Sequence, residues 1–392
     1  MVEHMCYIIF KAMSDIEKLE LLTKQMHLEP TEEISGPELT TRSREAIAVK
    51  AAQLPNGKSI RLLKTLLSSY CERNCNYCPF RSGLDAPRAA FTPDEFARLF
   101  DSLYKTGYVE GIFLSSSIFQ NSITTQDKLL ATASILRQRY NFQGYLHLKI
   151  MPGAERSQIE EAMRLADRLS LNLEAPHPQA LHTLAPQKDF SRDLVAPLRW
   201  IEEIRKSQSP QDAWNKAWPS STTQFVVGAA GETDLDILLT TSHLQDTSGI
   251  SRAYFSSFQP VLGTPLENNP PSPALREHRL YQASFLLRDY GFSVEELNYQ
   301  ENRNLPLNKD PKLSWAEENL LHNPIEINSA PRKLLLRVPG LGPRRADRIL
   351  AQRRQGTIKS FSQLKKNRLV AQKSAPYLLL NGRRAARQAA LF

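Results

Sequence analysis

Short apolar runs recur along the middle of the chain, and amphipathic helical patterns fill most of the intervals between them. Six apolar runs cover residues 60–69, 111–116, 145–150, 169–175, 224–229 and 252–258. The helical patterns cover residues 93–105, 125–140, 156–165, 195–206 and 234–245. Apolar runs bounded by turns predict buried strands, and strands that alternate with helices predict parallel β/α units. Six units fall short of a closed eightfold barrel, so we predict an α/β fold with a partial (β/α)6 TIM-like barrel.

The segments that flank this pattern predict a lead-in and a tail. Residues 14–27 predict an amphipathic helix, residues 28–58 a polar loop, and residues 274–290 a helix that ends at Gly291. Pro324 marks the start of a strongly basic tail. The predicted organisation is a helical lead-in over residues 1–58, a barrel over residues 59–324 and a small all-α domain over residues 325–392.

Charge is distributed unevenly along the 392 residues. The full chain has a formal net charge of +9. Residues 325–392 contain sixteen Lys and Arg against two acidic residues, which gives +14, while the remainder carries 34 basic and 39 acidic residues, which gives −5. A basic excess confined to one end predicts a polyanionic partner, with nucleic acid first.

Only four cysteines occur, and three of them lie within eight residues of one another. A disulfide framework would use an even, dispersed set of cysteines. The amino terminus lacks a secretory layout, and no apolar stretch approaches the length of a membrane span. We therefore expect a reducing, cytoplasmic location without membrane insertion, where thiols are free to bind a metal.

The three clustered cysteines have the spacing C-x3-C-x2-C. Cys71, Cys75 and Cys78 follow the first predicted strand, and iron–sulfur clusters take cysteine ligands at such short spacings. Three thiolates would leave one iron of a [4Fe–4S] cluster open to a cofactor or substrate. A zinc site would want four ligands, and no further Cys or His follows at a suitable interval. Three structural thiols are disfavoured because the surrounding residues are polar.

With an aromatic residue, Tyr77, just before the last cysteine, this spacing resembles the signature of the radical SAM superfamily. The resemblance implies a partial barrel and S-adenosylmethionine (SAM) chelated at the open iron. It also implies one-electron cleavage of SAM to a 5′-deoxyadenosyl radical that abstracts hydrogen from a substrate. The cofactor would carry the difficult chemistry, and the protein would position it and exclude water.

The same resemblance suggests which strand ends contact SAM. The predicted contacts are Tyr77, Ser115, Ser116, Ser117, Asn172, Glu174, Gly228, Gly231 and Glu232. The serines stand where the superfamily usually has a Gly-Gly-Glu-like turn, and the glycines resemble the motif that lets backbone approach adenine. Ordinary strand alternation is an equal explanation for Asn172 and Glu174. Lys149, at the end of the third strand, is a candidate catalytic residue that could pair with a carboxylate or phosphate, and a solvated lysine is the alternative.

The basic tail contains the string Val338-Pro-Gly-Leu-Gly342 between two predicted helices, residues 331–337 and 343–353. This arrangement resembles the helix-hairpin-helix module of DNA-repair proteins, in which backbone N–H groups at a helix start hold a phosphate without reading sequence. The predicted nucleic-acid contacts are Lys333, Gly340, Leu341, Gly342, Arg344 and Arg345. A hairpin used for protein contacts is the alternative, which the +14 charge disfavours.

Further strings, among them RAAFTPD from residue 88 and GYLHLKIMPGA from residue 144, resemble the prokaryotic DNA modification/repair radical SAM family. The resemblance implies a partner similar to uracil-DNA glycosylases, and an electron donor for the cluster. We therefore predict a radical SAM enzyme that acts on DNA in modification or repair. The alternatives are a radical SAM enzyme that modifies tRNA or another RNA, and a non-enzymatic iron–sulfur protein that binds DNA and senses redox state.

Overall fold

Two units make up the part of the chain that the structure describes. The computed structural model describes residues 13–28, 49–53, 57–366 and 372–384. The first unit comprises Met1–Ala230 and Leu244–Pro271, and the second comprises Gly231–His243 and Ser272–Phe392. The predicted boundaries at residues 58 and 324 do not coincide with this division, and they stay a prediction.

The first unit is built on one open sheet of seven strands in sequence order. The strands are β1 (Val49–Gln53), β2 (Ser59–Leu66), β3 (Gly111–Ser115), β4 (Tyr145–Lys149), β5 (Arg168–Ser170), β6 (Ser220–Val227) and β7 (Arg252–Ser257). β1 pairs antiparallel with β2, and every other pair is parallel. Since β1 and β7 do not pair with each other, the six parallel strands form the partial barrel that the sequence predicts.

Helices connect the parallel strands. α1 (Asp15–Lys24) precedes the sheet, and the connecting helices are α2 (Pro93–Lys105), α3 (Ser122–Ser134), α4 (Arg156–Leu165), α5 (Pro178–Leu184), α6 (Ala196–Ser207) and α7 (Asp234–Ser248). The local sequence determines where several of these helices begin. Thr92 and Glu95 form a reciprocal capping box at α2, where Pro93 takes the first position.

The interior face of the sheet is more polar than the apolar runs predict. Phe113, Leu148 and Phe225 are buried, as expected of strands covered on both faces. Lys64, His147, Lys149, Arg168 and Thr222 are also at most 6% exposed. A purely structural barrel interior is filled with branched aliphatic side chains. Buried lysine and arginine side chains on these strands instead favour the binding of polar ligands.

Three local predictions were wrong. The predicted loop over residues 28–58 contains β1, and the predicted strand over residues 169–175 ends at Ser170. It ends there because the N–H of Leu173 donates to the Thr223 hydroxyl, at 3.1 Å, instead of to a carbonyl, and Glu174 has a positive φ of 67°. Helix α5 was not predicted; its N-cap is His177, whose Nδ1 accepts from the N–H of Ala180.

The second unit is mostly helical. Its helices are α8 (Ala274–Tyr290), α9 (Pro311–Asn319), α10 (Arg332–Leu335), α11 (Pro343–Gln355) and α12 (Phe361–Lys366), with the first part of α7. A small sheet of β8 (Ile325–Glu326), β9 (Leu378–Leu380) and β10 (Arg383–Arg384) accompanies them and was not predicted. Gly291 ends α8 in the left-handed region, at φ 68°, as predicted for a C-cap glycine.

One apolar core holds the second unit together. It joins α9 to the tail through Ala316, Leu320, Leu335, Leu341 and Ile349, all nearly or fully buried. Arg337 is 2% exposed, lies 3.6 Å from the Phe292 ring centroid, and donates to Glu296 at 2.7 Å. The tail therefore depends on residues that precede position 325, and a chain that began there would lack part of this core.

Within the described ranges, no helix combines the length and the apolar character that crossing a bilayer requires.

Candidate active site

The three clustered cysteines lie on the loop that follows β2, at the carboxyl end of the sheet where parallel barrels place their chemistry. Cys71, Cys75 and Cys78 are free thiols, each partly buried. The loop is tied to its neighbours through the backbone: the N–H of Glu72 donates to the Ile118 carbonyl at 2.8 Å, and the N–H of Asn76 to the Leu184 carbonyl at 2.7 Å. Unpredicted helix α5 therefore supports the loop.

A single guanidinium holds the two ends of this loop together. Arg88 donates to the carbonyls of Ser69 at 2.7 Å, Phe80 at 3.1 Å, Arg81 at 3.2 Å and Leu84 at 3.2 Å. Four carbonyls on one planar donor set fix the path of the chain on both sides of the cysteines. The sequence analysis includes Arg88 in the string RAAFTPD but assigns it no role, because its acceptors are backbone atoms.

The cysteines open onto a cleft of about 1100 Å³ that is open to solvent. The candidate catalytic residue Lys149 lines it, and so do most of the predicted cluster and cofactor residues: Cys71, Cys75, Tyr77, Cys78, Ser115, Ser116, Ser117, Asn172 and Glu174. The cleft places the three thiols beside polar side chains that can contact a bound cofactor. The structure thus gathers, from four strand ends, groups that the sequence separates by about a hundred residues.

Polar groups from neighbouring strands meet inside the cleft. The Lys149 ammonium donates to the Asn172 Oδ1 at 2.5 Å, which joins the ends of β4 and β5. Ser116 donates to the Ser117 carbonyl at 2.8 Å, and the N–H of Ser117 donates to the Ser68 carbonyl at 2.8 Å. Lys149 is 5% exposed, so the alternative of a solvated lysine is wrong. The prediction that it is catalytic stays a prediction.

Glu174 forms a buried ion pair with Lys188 beside the cysteine loop. The Lys188 ammonium lies 2.9 Å from Oε1 of Glu174, and both side chains are at most 8% exposed. Burial opposes ionisation of Glu174, but the Lys188 ammonium and a hydrogen bond from Tyr77 hold the pKa of this carboxyl below its ordinary value. Lys188 was not predicted, since nothing in its local sequence marks it.

The chemistry of this donor set fits an iron–sulfur cluster. Burial raises the pKa of Cys75 and of Cys78, so thiolates here need a positive partner, which iron supplies. Among the described residues, no three Cys, His, Asp or Glu side chains are arranged to hold a single metal ion. A cubane [4Fe–4S] cluster does not need three ligands around one metal ion, because each thiolate binds a different iron.

Three of the predicted SAM contacts, Gly228, Gly231 and Glu232, do not line the cleft. Gly228 does not line the cleft, although its φ of 94° shows a turn that favours glycine. Gly231 and Glu232 belong to the second unit, where the Glu232 carboxylate lies 3.9 Å from Arg276. The prediction that these three residues contact SAM stays untested.

The predicted hairpin lies in the second unit between α10 and α11. Gly340 has a φ of 83°, and Gly342 is the N-cap of α11. Arg345 donates to the Gly340 carbonyl at 2.6 Å, which makes it part of the hairpin, whereas Lys333 and Arg344 are exposed. The Lys312 ammonium of α9 donates to the Leu341 carbonyl at 2.6 Å and was not predicted.

Two known families match parts of this chain, one in the predicted barrel and one in the predicted basic tail. Residues 65–241 match the radical SAM superfamily, and residues 322–375 match the helix-hairpin-helix motif. No curated protein sequence gives a significant match.

Several solved structures are similar to part of this chain at low sequence identity. The FeFe-hydrogenase maturase HydG from Carboxydothermus hydrogenoformans has 16% identity and a TM-score of 0.44, over 58% of this chain and 51% of that one. Methylornithine synthase PylB has 15% identity and a TM-score of 0.45, over 58% and 62%. The radical SAM methyltransferase TsrM from Kitasatospora setae has 13% identity and a TM-score of 0.42, over 56% and 39%. At these scores the neighbours support no conclusion about substrate.

The chain therefore contains a radical SAM domain and a helix-hairpin-helix motif. Members of the radical SAM superfamily, which residues 65–241 match, are enzymes that use a [4Fe–4S] cluster and S-adenosylmethionine.

Proposed function

We propose that Cys71, Cys75 and Cys78 hold the [4Fe–4S] cluster and that the enzyme acts on DNA, in modification or repair. The observation that carries the proposal is one chain with a cysteine-lined cleft in its barrel and a helix-hairpin-helix motif in its basic tail. Basic hairpins of this kind hold nucleic-acid backbone, and the barrel would deliver the chemistry.

When bound, the cluster supplies the electron that cleaves SAM, and SAM supplies the power to remove a hydrogen atom from the substrate. The residues of the cleft position and protect these groups. Lys149 would neutralise a carboxylate, Asn172 holds the Lys149 ammonium in place by accepting from it at 2.5 Å, and the Ser116 hydroxyl lies in the wall of the cleft. The Glu174–Lys188 pair keeps a fixed charge pair beside the cysteine loop without adding net charge.

The tail would bind the substrate polymer. Lys333 and Arg344 are exposed beside the hairpin, so they can neutralise phosphates, while the glycines allow the backbone to approach. A reacting base in duplex DNA would have to be extruded or already unpaired. RNA is the second candidate polymer, because a hairpin that holds phosphates does not by itself distinguish the two sugars.

The test is anaerobic purification, reduction with dithionite and incubation with SAM. We expect 5′-deoxyadenosine from the wild-type protein, and we expect Cys75→Ala to lose both the cluster absorbance and the product. Cys6→Ala is the matched control, because it removes a cysteine outside the motif and should keep both. A fully loaded cluster in Cys75→Ala would refute the ligand assignment.

The choice of polymer is tested separately. The reduced enzyme would be incubated with SAM and with damaged or intact DNA and RNA oligonucleotides, which are then compared by mass spectrometry. A mass change in RNA alone would overturn the DNA assignment. The glycosylase-like partner, the electron donor and the cytoplasmic location predicted from the sequence stay predictions.

A further inference from the structure

A buried lysine and a buried glutamate line the same cleft as the cysteine thiols. Lys188 and Glu174 share this lining with Cys71, Cys75 and Cys78. The Lys188 ammonium lies 2.9 Å from Oε1 of Glu174, and the two side chains are 8% and 5% exposed. Charges that are shielded from water are screened less than exposed charges. The two charges of this ion pair can therefore act on charge at the cysteines.

Hydrogen bonds hold the segment that carries Lys188 against the cysteine loop. Asn76, which lies between the second and third cysteines, donates its backbone N–H to the Leu184 carbonyl at 2.7 Å. Its side-chain amide donates to the Thr183 carbonyl at 2.9 Å. The N–H of Lys188 donates to the Ala185 carbonyl at 3.0 Å, in the turn that follows α5. The position of Lys188 relative to the cysteine loop is therefore set by backbone contacts as well as by its side chain.

Glu174 is also fixed relative to the cysteine loop. Its N–H donates to the Gln224 carbonyl at 2.9 Å, and its carbonyl accepts from the N–H of Val226 at 2.8 Å, so its backbone is bound to β6. Its carboxylate accepts a hydrogen bond from Tyr77, which lies in the cysteine loop. The carboxylate therefore connects the cysteine loop to the Lys188 ammonium.

Lys188 favours negative charge at Cys75 more strongly than its neighbours do. Burial raises the pKa of the Cys75 thiol, and the Lys188 ammonium opposes this rise. Glu174 raises the pKa of Cys75 further, but by less than Lys188 lowers it, and Arg73 lowers it less than Lys188 does. The Arg73 side chain is 24% exposed, so water screens its charge more. Lys188 and Glu174 thus act on this thiol in opposite directions.

Reduction of a [4Fe–4S] cluster by one electron adds a negative charge to the cluster and its thiolates. The reduction potential of such clusters depends on nearby charge, on hydrogen bonds to the sulfurs and on solvent exposure. A fixed cation beside the thiolates stabilises the reduced form, and a fixed anion destabilises it. The two members of a buried ion pair therefore have opposite effects on the uptake of this electron.

We propose that the Lys188 ammonium makes the cluster easier to reduce, and that Glu174 holds this ammonium in place and partly opposes its effect. In this role Lys188 is a positioning residue of the cluster site. The inference rests on the cluster ligands of the proposed function and deepens that proposal. A cluster that is easier to reduce accepts the electron that cleaves SAM from a weaker electron donor.

The experiment is a potentiometric titration of the reconstituted full-length protein with dithionite, at fixed pH and without SAM. The reduced cluster is followed by electron paramagnetic resonance. We expect Lys188→Met to be harder to reduce, with about a tenfold shift in the one-electron equilibrium, or about 59 mV. Glu174→Gln should shift the potential in the opposite direction, because the lysine charge remains without its carboxylate. Lys188→Arg, which keeps the positive charge, should retain most of the wild-type potential.

Lys105→Met is the matched control. Lys105 also forms an ion pair, at 2.7 Å with Asp101, but it does not line the cleft. Its replacement should leave the potential unchanged. If Lys188→Met does not assemble a cluster, Glu174→Gln still tests the proposal. The double variant, Lys188→Met with Glu174→Gln, leaves neither charge buried without its partner, and its potential should lie between those of the two single variants.

Two results would overturn the proposal: an unchanged or higher potential in Lys188→Met, or an unchanged or lower potential in Glu174→Gln. A merely structural role would lower the iron content of both variants without moving their potentials in opposite directions. Iron content and production of 5′-deoxyadenosine by the wild type are measured separately. A wild-type protein that assembles no cluster refutes the proposed function, whereas loaded variants with the wild-type potential refute this inference alone.

Discussion

At the scale of single residues, the cysteine loop depends on groups that are not ligands. Arg88 contacts four carbonyls on both sides of the cysteines, at 2.7 to 3.2 Å. Glu174 takes a positive φ of 67°, which is uncommon for a residue with a side chain, and its backbone is held by hydrogen bonds with Gln224 at 2.9 Å and Val226 at 2.8 Å. Its carboxylate forms the ion pair with Lys188. Both features shape the cleft without being recognisable in the local sequence.

Replacing Arg88 by lysine should destabilise the loop although the charge is kept. A lysine ammonium cannot reach four divergent carbonyls, so we expect a loss of about 2 kcal/mol in the free energy of unfolding and a lower iron content after reconstitution. Urea denaturation and iron analysis check this.

Arg98→Lys provides the control. The Arg98 side chain on α2 is 65% exposed, and its ion pair consists of one contact of 3.8 Å with an aspartate oxygen. Arg98→Lys should change neither the free energy of unfolding nor the iron content. Equal iron content in Arg88→Lys and wild type would contradict the role assigned to Arg88.

At the scale of elements, the hairpin is braced by a helix that precedes it. Lys312 of α9 donates to the Leu341 carbonyl and lies 4.5 Å from the Tyr290 ring centroid, and a side chain at Gly342 would approach the Tyr290 hydroxyl. Burial, with Lys373 and Arg337 nearby, lowers the pKa of Lys312 to about 7, and Asp310 only partly opposes this. The loop of the hairpin is therefore positioned by residues outside the motif.

This lowered pKa makes stability depend on pH with a definite sign. Above about pH 7 the folded protein releases the proton of Lys312, while the unfolded chain retains it up to the ordinary lysine range. The unfolded state then binds more protons, so the contribution of Lys312 to unfolding free energy rises with pH. Lys312→Met should lose that rise, as measured by urea denaturation from about pH 6 to about pH 9.

Lys309→Met is the control, because Lys309 is 45% exposed and its pKa is raised by Glu317. Lys309→Met should keep the rise in unfolding free energy above pH 7. Parallel pH profiles for Lys312→Met and wild type would show that burial does not shift this lysine.

At the scale of the whole molecule, charge and chemistry occupy different parts of the chain. The barrel sequence carries the cysteines and an overall acidic balance, while residues 325–392 carry +14. Binding of a polyanion by such a tail releases counterions and should weaken steeply as salt rises.

Arg344→Gln should reduce the slope of log affinity for DNA against log salt by about one, the amount expected for one lost phosphate contact. Fluorescence anisotropy with a labelled duplex at several salt concentrations measures it. Arg98→Gln, an exposed arginine of the barrel unit, should leave the slope unchanged. An unchanged slope in Arg344→Gln would remove this residue from the interface.

The sequence by itself determined the class of the protein. The C-x3-C-x2-C spacing indicated the cluster, the apolar pattern placed the cysteines after the first barrel strand and predicted the partial barrel, and Gly340 and Gly342 marked the hairpin. These signals are local in the chain. Tertiary structure decided the rest. The contacts of Arg88, Lys188 and Lys312 join residues far apart in sequence, through backbone carbonyls and buried charges that no local pattern encodes.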